Sequence, residues 1–394
     1  MIEAEIKSII DEELPYRSQV VKANNKKIVT PIKSIDPKHI DPSIQLSKSV
    51  TGLNEMYSGV TSKKISDHSQ GIDRSLIYLL NSAQDKFRDP KSEMQICFIE
   101  FKEETFPNQK EIEFITDLAY VYSDIIPIPM LSNFQQRVTI ENTTEDGKKQ
   151  FLPSDSKFEK FLKYLGDSIA TIQQLNNKPI MGYIPDFRYY FKELVKFYVD
   201  NGINTFYYDT HLSSPMTLQL PIRTLLRELN NQESLEHSFI HLLNAGYGRA
   251  SKDSSIIPAK DILGFGLGID GIGERHKRRV FTKELAEYMK KNPDNRSRLF
   301  DKKSYGYLKT SEKNEIEKFY PNDSGVDIAN FLTGSKPHDH IQNSFNVEQL
   351  AIESMKLRDR LNQSQSMLGY VSKKSQVKED DLKILKRAKI KLKK

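Results

Sequence analysis

Short runs of uninterrupted apolar residues alternate along this chain with longer stretches in which apolar residues recur three and four positions apart. The runs QICFIEF (95–101), DIIPIPML (124–131), PIMGYIP (179–185), INTFYYDTH (203–211) and HSFIHLLNAG (237–246) predict buried strands. Between them NQKEIEFITDLAYVY, FEKFLKYLGDSIATIQQLN, FRYYFKELVKFYVDNG and PIRTLLRELNNQ predict helices with one apolar face. Strands that are apolar on both faces require cover on both sides, which is the pattern of a parallel sheet wrapped by helices. The fold class is therefore α/β. LGID (267–270) reads as a further strand, and there is room for others upstream and downstream, so the unit count points to a (β/α)8 TIM-like barrel. An open dinucleotide-binding sheet is the weaker reading, because no G-x-G-x-x-G follows an early strand.

The same patterning divides the chain. Residues 1–45 mix short helical and extended signals and end in DPKHIDPS, whose two Asp-Pro steps favour turns, so they read as an N-terminal extension. Residues 46–335 form the barrel, with a helical pattern from Leu46 to Phe87 and a polar stretch, TIENTTEDGKKQFLPSDS, as the longest internal loop. A helical segment, 336–371, follows, within which VEQLAIESMKLRDRLNQSQSML (347–368) could mediate assembly with an oligomer or partner protein. Residues 372–394 form a basic tail.

Charge sharpens that last assignment. The 394 residues carry a formal +6, but Ser372 to Lys394 holds ten Lys/Arg against three Asp/Glu, leaving 49 against 50 in the remainder. A near-neutral body with a basic terminus suits an acidic partner, RNA or DNA above all, with Lys386 and Arg387 in contact with phosphates; a solvated, disordered tail is the alternative. A hydrophobic share of 37% and no apolar run near the ~20 residues of a membrane span exclude a membrane protein. The N-terminus has neither a secretory nor a transit pattern, which makes cytoplasm the expected location. The single cysteine, Cys97, lies within an apolar run and reads as a buried thiol, so no disulfide and no cysteine-rich zinc site is expected. His338, Asp339 and His340 are too close in sequence to converge on one ion, and neither a metal nor another cofactor is expected.

In a parallel barrel, reactive groups stand at the C-terminal ends of the strands. Glu100, Asp209, Asn244 and Asp270 are the strand-end candidates, with Pro185-Asp186 and His211 beside them. Asp209 closes a run of aromatic residues, where partial desolvation would favour a general acid; capping the next turn is its structural alternative. His211 and His241 read as structural histidines. Gly246 and Gly248 in NAGYGRASKDSS would let a ligand approach the backbone. GFGLGIDGIGERHKRR (264–279) sets Asp270 and Glu274 among five glycines, with Arg275, Lys277, Arg278 and Arg279 placed to hold phosphates or to form an exposed face.

LLNAGYG, followed by IPAKDILGFGLGIDGIG (242–273), resembles the late barrel segment of the tRNA-guanine transglycosylase superfamily. KKIVTP (26–31) is similar to that family's first strand, and HIQNSFNVEQLAIESMKLRDRL (340–361) to its closing helix. The resemblance implies a barrel that exchanges a guanine-type base in nucleic acid through a covalent enzyme–ribose intermediate. Gly273 stands where the family has its aspartate nucleophile, and the zinc-binding cysteines are absent. Asp270 or Glu274 would then have to supply the attacking carboxylate, with Asp209 facing the base, Glu100, Asn244, Gly246 and Gly248 binding it, and the base flipped from its stack. A barrel enzyme acting on a small metabolite and a catalytically silent nucleic-acid-binding or partner subunit are the alternatives.

Overall fold

The computed structural model describes the chain except for residues 1–3, 48–49, 51, 88, 90, 144–148, 176–177, 187–188, 251–254, 278–280, 293, 295, 333–338 and 391–394. The chain opens with an antiparallel meander, Glu5–Ile10, Arg17–Ala23 and Lys26–Val29. Asn24 and Asn25, both at positive φ, make its two-residue turn, a conformation asparagine tolerates better than other side chains. Ile32–Lys33 then enters a six-stranded parallel sheet ordered Ile32–Lys33, Gly271–Ile272, Phe239–Leu243, Thr205–Asp209, Ile180–Ile184, Ile126–Pro127. The parallel layer thus starts inside the segment expected to be an extension.

A second parallel sheet pairs Leu53–Val60 with Met94–Phe101 and Met94–Phe101 with Met130–Leu131. Among the described residues, backbone pairing joins the sheets at two places. Ile35 bridges Asn54, with the Glu55 amide donating to the Ile35 carbonyl at 2.8 Å. The run 126–131 serves both sheets: Ile126 and Pro127 pair with Ile180 and Met181, the Ile126 and Ile128 amides donating to the Pro179 and Met181 carbonyls, whereas Met130 and Leu131 pair with Glu100 and Phe101. Pro129 stands between them, where a missing N–H breaks the ladder.

Helices Gln109–Tyr122, Asp155–Leu175, Phe191–Asp200 and Gln219–Asn231 occupy the predicted positions and bury their apolar stripes. Aromatic residues fill the space between the strands: Phe98 stacks on His241 at 5.7 Å, Tyr183 on Tyr207 at 5.3 Å, and the Tyr207 hydroxyl donates to the Ile128 carbonyl at 2.6 Å. Cys97 is buried among them, and burial pushes its thiol up to about 12, leaving it inert.

Four expectations need correction. The stretch from Leu46 to Phe87 is not helical throughout, since Leu53–Val60 is a strand preceding helices Ser62–Ser69 and Ser75–Gln84. LGID is not a strand: a 3-10 helix spans Ile262–Leu267, and the strand, Gly271–Ile272, starts after Asp270. The polar stretch after Val138 is a hairpin, Thr139–Thr143 paired with Lys149–Pro153, rather than a loop. The tail is folded as far as it is described: helix Glu379–Ala388 seats the fully buried Leu385 beside Gly266, and Asp381 pairs with Lys260 at 2.8 Å. Helix Asp339–Asn362 packs inside its own chain, with Phe345, Glu348, Leu357 and Leu361 all buried.

Candidate active site

Because the paired strands run parallel, residues just past their C-terminal ends gather on one side. Glu55, the third residue of Leu53–Val60 and so within its strand rather than past its end, is the centre of that gathering. Its Oε2 accepts from the Ser34 hydroxyl at 2.7 Å and from His241 Nε2 at 2.9 Å, and its Oε1 accepts from His276 Nε2 at 2.9 Å and from the Glu274 amide. Burial opposes its charge, but the two imidazoles outweigh that and hold the carboxyl well below the usual carboxylate range. Only glycine fits alongside: a Cβ on Gly273 would lie 2.8 Å from Glu55 Oε2 and from the Leu242 carbonyl oxygen.

His276 has a carboxylate at each end. Nε2 faces Glu55, and Nδ1 lies 3.3 Å from Asp36 Oδ2. Tyr57 stacks flat on the ring at 4.8 Å and 7°, and the His39 ring stands 5.6 Å away. Burial works against the imidazolium, yet the paired carboxylates prevail and push it up to about 9.

Lys277, the next residue, organises the other half of the site. Its ammonium lies 2.6 Å from Asp209 Oδ2, 3.2 Å from Glu100 Oε1 and 3.2 Å from His211 Nδ1. The Tyr57 hydroxyl donates to Glu100 Oε2 at 2.5 Å. Asp209 is buried, which by itself would raise its pKa, but Lys277 and His211 bring it below the ordinary value; the same carboxylates raise that of Lys277 despite burial. Asn244 ties the halves together, its Nδ2 donating to Asp209 Oδ1 at 2.9 Å while its Oδ1 accepts the amides of His276 and Lys277 at 2.8 and 2.9 Å. Its φ of 56° is what turns the side chain back over the strand end.

Glu100, Asp209 and Asn244 therefore meet as expected from their strand ends, and Glu274 lies beside them, paired with Lys33. Asp270 does not. It precedes its strand, and its Oδ2 takes Arg17 at 2.5 Å and the Ile240 amide at 2.7 Å at the opposite end of the sheet from Asp209. Burial outweighs both partners and pushes its carboxyl up to about 6. Gly246 and Gly248 admit protein backbone rather than a ligand, since added Cβ atoms would meet the Leu212 oxygen at 2.1 Å and the Pro258 oxygen at 2.9 Å. Arg275 is not displayed to phosphates: its guanidinium lies 3.6 Å over the Tyr247 ring and bonds to that hydroxyl. Lys277 is likewise neutralised by two carboxylates. Lys386 and Arg387 are exposed on the C-terminal helix, whereas Arg278, Arg279 and His338 lie outside the described residues.

Asp36, Glu55, Tyr57, His276 and Lys33 escaped sequence reading. Among the described residues, the cluster's five carboxylates, Asp36, Glu55, Glu100, Asp209 and Glu274, outnumber Lys33, His276, Lys277 and the rim residue Lys102. Such an arrangement can orient hydrogen-bonding groups and pass protons between them.

No protein-family model matches the sequence, and no curated protein matches it. Among solved structures, an enolase protein from environmental genome shotgun sequencing of the Sargasso Sea is 10% identical over 71% of this chain and 61% of that one, with a TM-score of 0.31. The chain thus spans about three-fifths of that protein's length. The enoyl reductase domain of MlnA from the macrolactin biosynthesis cluster of Bacillus amyloliquefaciens is 10% identical over 68% of this chain and 67% of that one, with a TM-score of 0.29. Scores this low carry no argument for fold or activity.

Proposed function

We propose that the two parallel sheets close into one (β/α)8 barrel and that the chain is an enzyme running acid–base chemistry at its C-terminal mouth, on a small polar substrate with hydroxyl or amino groups. Closure is supported by the Ile35–Asn54 bridge at one junction and by the run 126–131, which pairs with both sheets, at the other. The reaction is carried by one observation: the Lys277 ammonium is shared between Asp209 at 2.6 Å and Glu100 at 3.2 Å, at the edge of an otherwise buried network. A substrate hydroxyl displacing the longer contact would meet Glu100 as base and Lys277 as proton donor, with the neutral Tyr57 hydroxyl aligning the carboxylate. Asp209, Asn244 and the Glu55–His276 pair hold that constellation in place.

Base exchange on nucleic acid is a second reading, favoured by one feature. Where the transglycosylase resemblance puts a nucleophile, the Glu55 carboxylate fills the space beside Gly273. Glu55 already accepts four hydrogen bonds, so in that version Asp209 is the attacking group. Thermal-shift measurements on the full chain separate the two. Stabilisation by polyols, amino sugars or free nucleosides, abolished in Glu100→Gln, supports the small-substrate enzyme. Stabilisation by RNA or DNA alone, weakening steeply with salt, replaces it with the nucleic-acid reading.

A further inference from the structure

We infer that Asp36, His39 and His276 form a binding site for a divalent transition-metal ion, with Glu55 as the outer support that aligns His276. Donor atoms of the three side chains all lie within 4.8 Å of one another. Asp36 Oδ2 and His276 Nδ1 are 3.3 Å apart, long for a charge-assisted hydrogen bond, which closes to about 2.7–2.9 Å. It matches the edge of a tetrahedron whose ligands stand about 2.0–2.1 Å from zinc.

Local structure prepares each donor. Asp36 caps the 3-10 turn Pro37–His39, its Oδ1 taken by the Lys38 amide at 2.8 Å, which leaves Oδ2 aimed at His276. Three residues make one turn of such a helix, so His39 lies on the same side as Asp36. His276 is fixed from behind by Glu55 on Nε2 at 2.9 Å and from the side by the Tyr57 ring, which leaves Nδ1 as the donor for the ion. A histidine that gives its second N–H to a carboxylate is the usual way a metal ligand is held. Charge points the same way, because carboxylates exceed cations in the cluster and a divalent ion corrects the excess.

Two imidazoles and one carboxylate suit Zn²⁺, Fe²⁺, Co²⁺ or Mn²⁺ better than Mg²⁺ or Ca²⁺. On binding, the proton between His276 Nδ1 and Asp36 passes to solvent and Nδ1 takes up the metal. Three protein ligands leave a fourth position for water on the partly exposed His39 side, the open arrangement of a catalytic rather than a structural site. The inference does not depend on barrel closure or on the Lys277 centre.

Chelator-stripped full-length protein titrated with Zn²⁺ and with Co²⁺ tests it. The expected result is one equivalent bound, visible Co²⁺ absorption bands, and at least a hundredfold weaker affinity in both His39→Ala and Asp36→Asn. His39 is partly exposed, so its variant should keep the apo melting temperature and far-UV spectrum of the parent. Glu55→Gln should weaken binding about 10–100-fold without removing a ligand. No stoichiometric binding of either ion by the parent, or binding unchanged in His39→Ala and Asp36→Asn, overturns the inference.

Discussion

Replacing Glu55 with glutamine keeps the shape of the side chain and removes its charge, so it asks directly what the carboxylate contributes. Four donors converge on its two oxygens, and an amide nitrogen in place of one oxygen would point a donor at donors. His276 would also lose one of the two anions that keep it protonated. Breaking a buried charge pair by removing one partner costs about 3–5 kcal/mol, and that is the expected loss at pH 7. The pH dependence gives a sharper signature. His276 titrates near 9 in the fold, against an ordinary 6.5 in the unfolded chain. Because the folded value is the higher, this contribution is full below about pH 6.5 and lost as pH rises through 9. The span corresponds to about 3 kcal/mol, and the Glu55 shift reports the same interaction and is not added to it. Urea denaturation of parent and Glu55→Gln in metal-free buffer at pH 6.5, 8 and 9.5 measures both effects. The parent should lose about 3 kcal/mol across that range and the variant clearly less. A variant as stable as the parent, with the same pH profile, would refute the assignment of Glu55 as the electrostatic hub.

Gly273→Ala should destabilise the fold by about 1–3 kcal/mol and lower the His276 pKa read by NMR, because the new methyl meets both the Glu55 carboxylate and the Leu242 carbonyl; an unshifted His276 titration would count against the close packing. Asp270→Asn leaves the buried Arg17 guanidinium without its counter-charge and should cost about 3–5 kcal/mol, yet leave ligand affinity at the proposed Lys277 site unchanged. Lost binding with intact stability would return Asp270 to the active centre. Leu385→Ala should cost about 2–5 kcal/mol in chemical denaturation, since that side chain is fully buried beneath the C-terminal helix, and an unaltered midpoint would mean a free tail.

The sequence by itself determined the alternation of strands and helices, and with it the side of the sheet on which Glu100, Asp209 and Asn244 meet. Burial on both faces makes strands such as Met94–Phe101 and Thr205–Asp209 largely apolar, and a polar residue near the end of each run inherits its place from that run. It determined equally that Cys97 is an inert buried thiol. Leu53–Val60 stayed hidden for the complementary reason: Asn54 and Glu55 are buried on opposite faces with polar side chains, so the strand that carries the hub of the site lacks a strand's apolar signature. Asp270 shows how a small boundary error becomes a functional one. The strand begins at Gly271, just past the LGID run rather than within it, which sends the carboxylate to Arg17 at one end of the sheet and brings His276 and Lys277 to the other, Lys277 beside Asp209. Gly246 and Gly248 looked permissive toward a ligand because a glycine records only that something comes close, and here it is the chain itself. Only the tertiary structure decided which partners each charge found. Asp36 and His276 follow two different strands and Glu55 lies within a third, up to 240 residues apart, and pairing over that distance leaves no mark in local hydropathy.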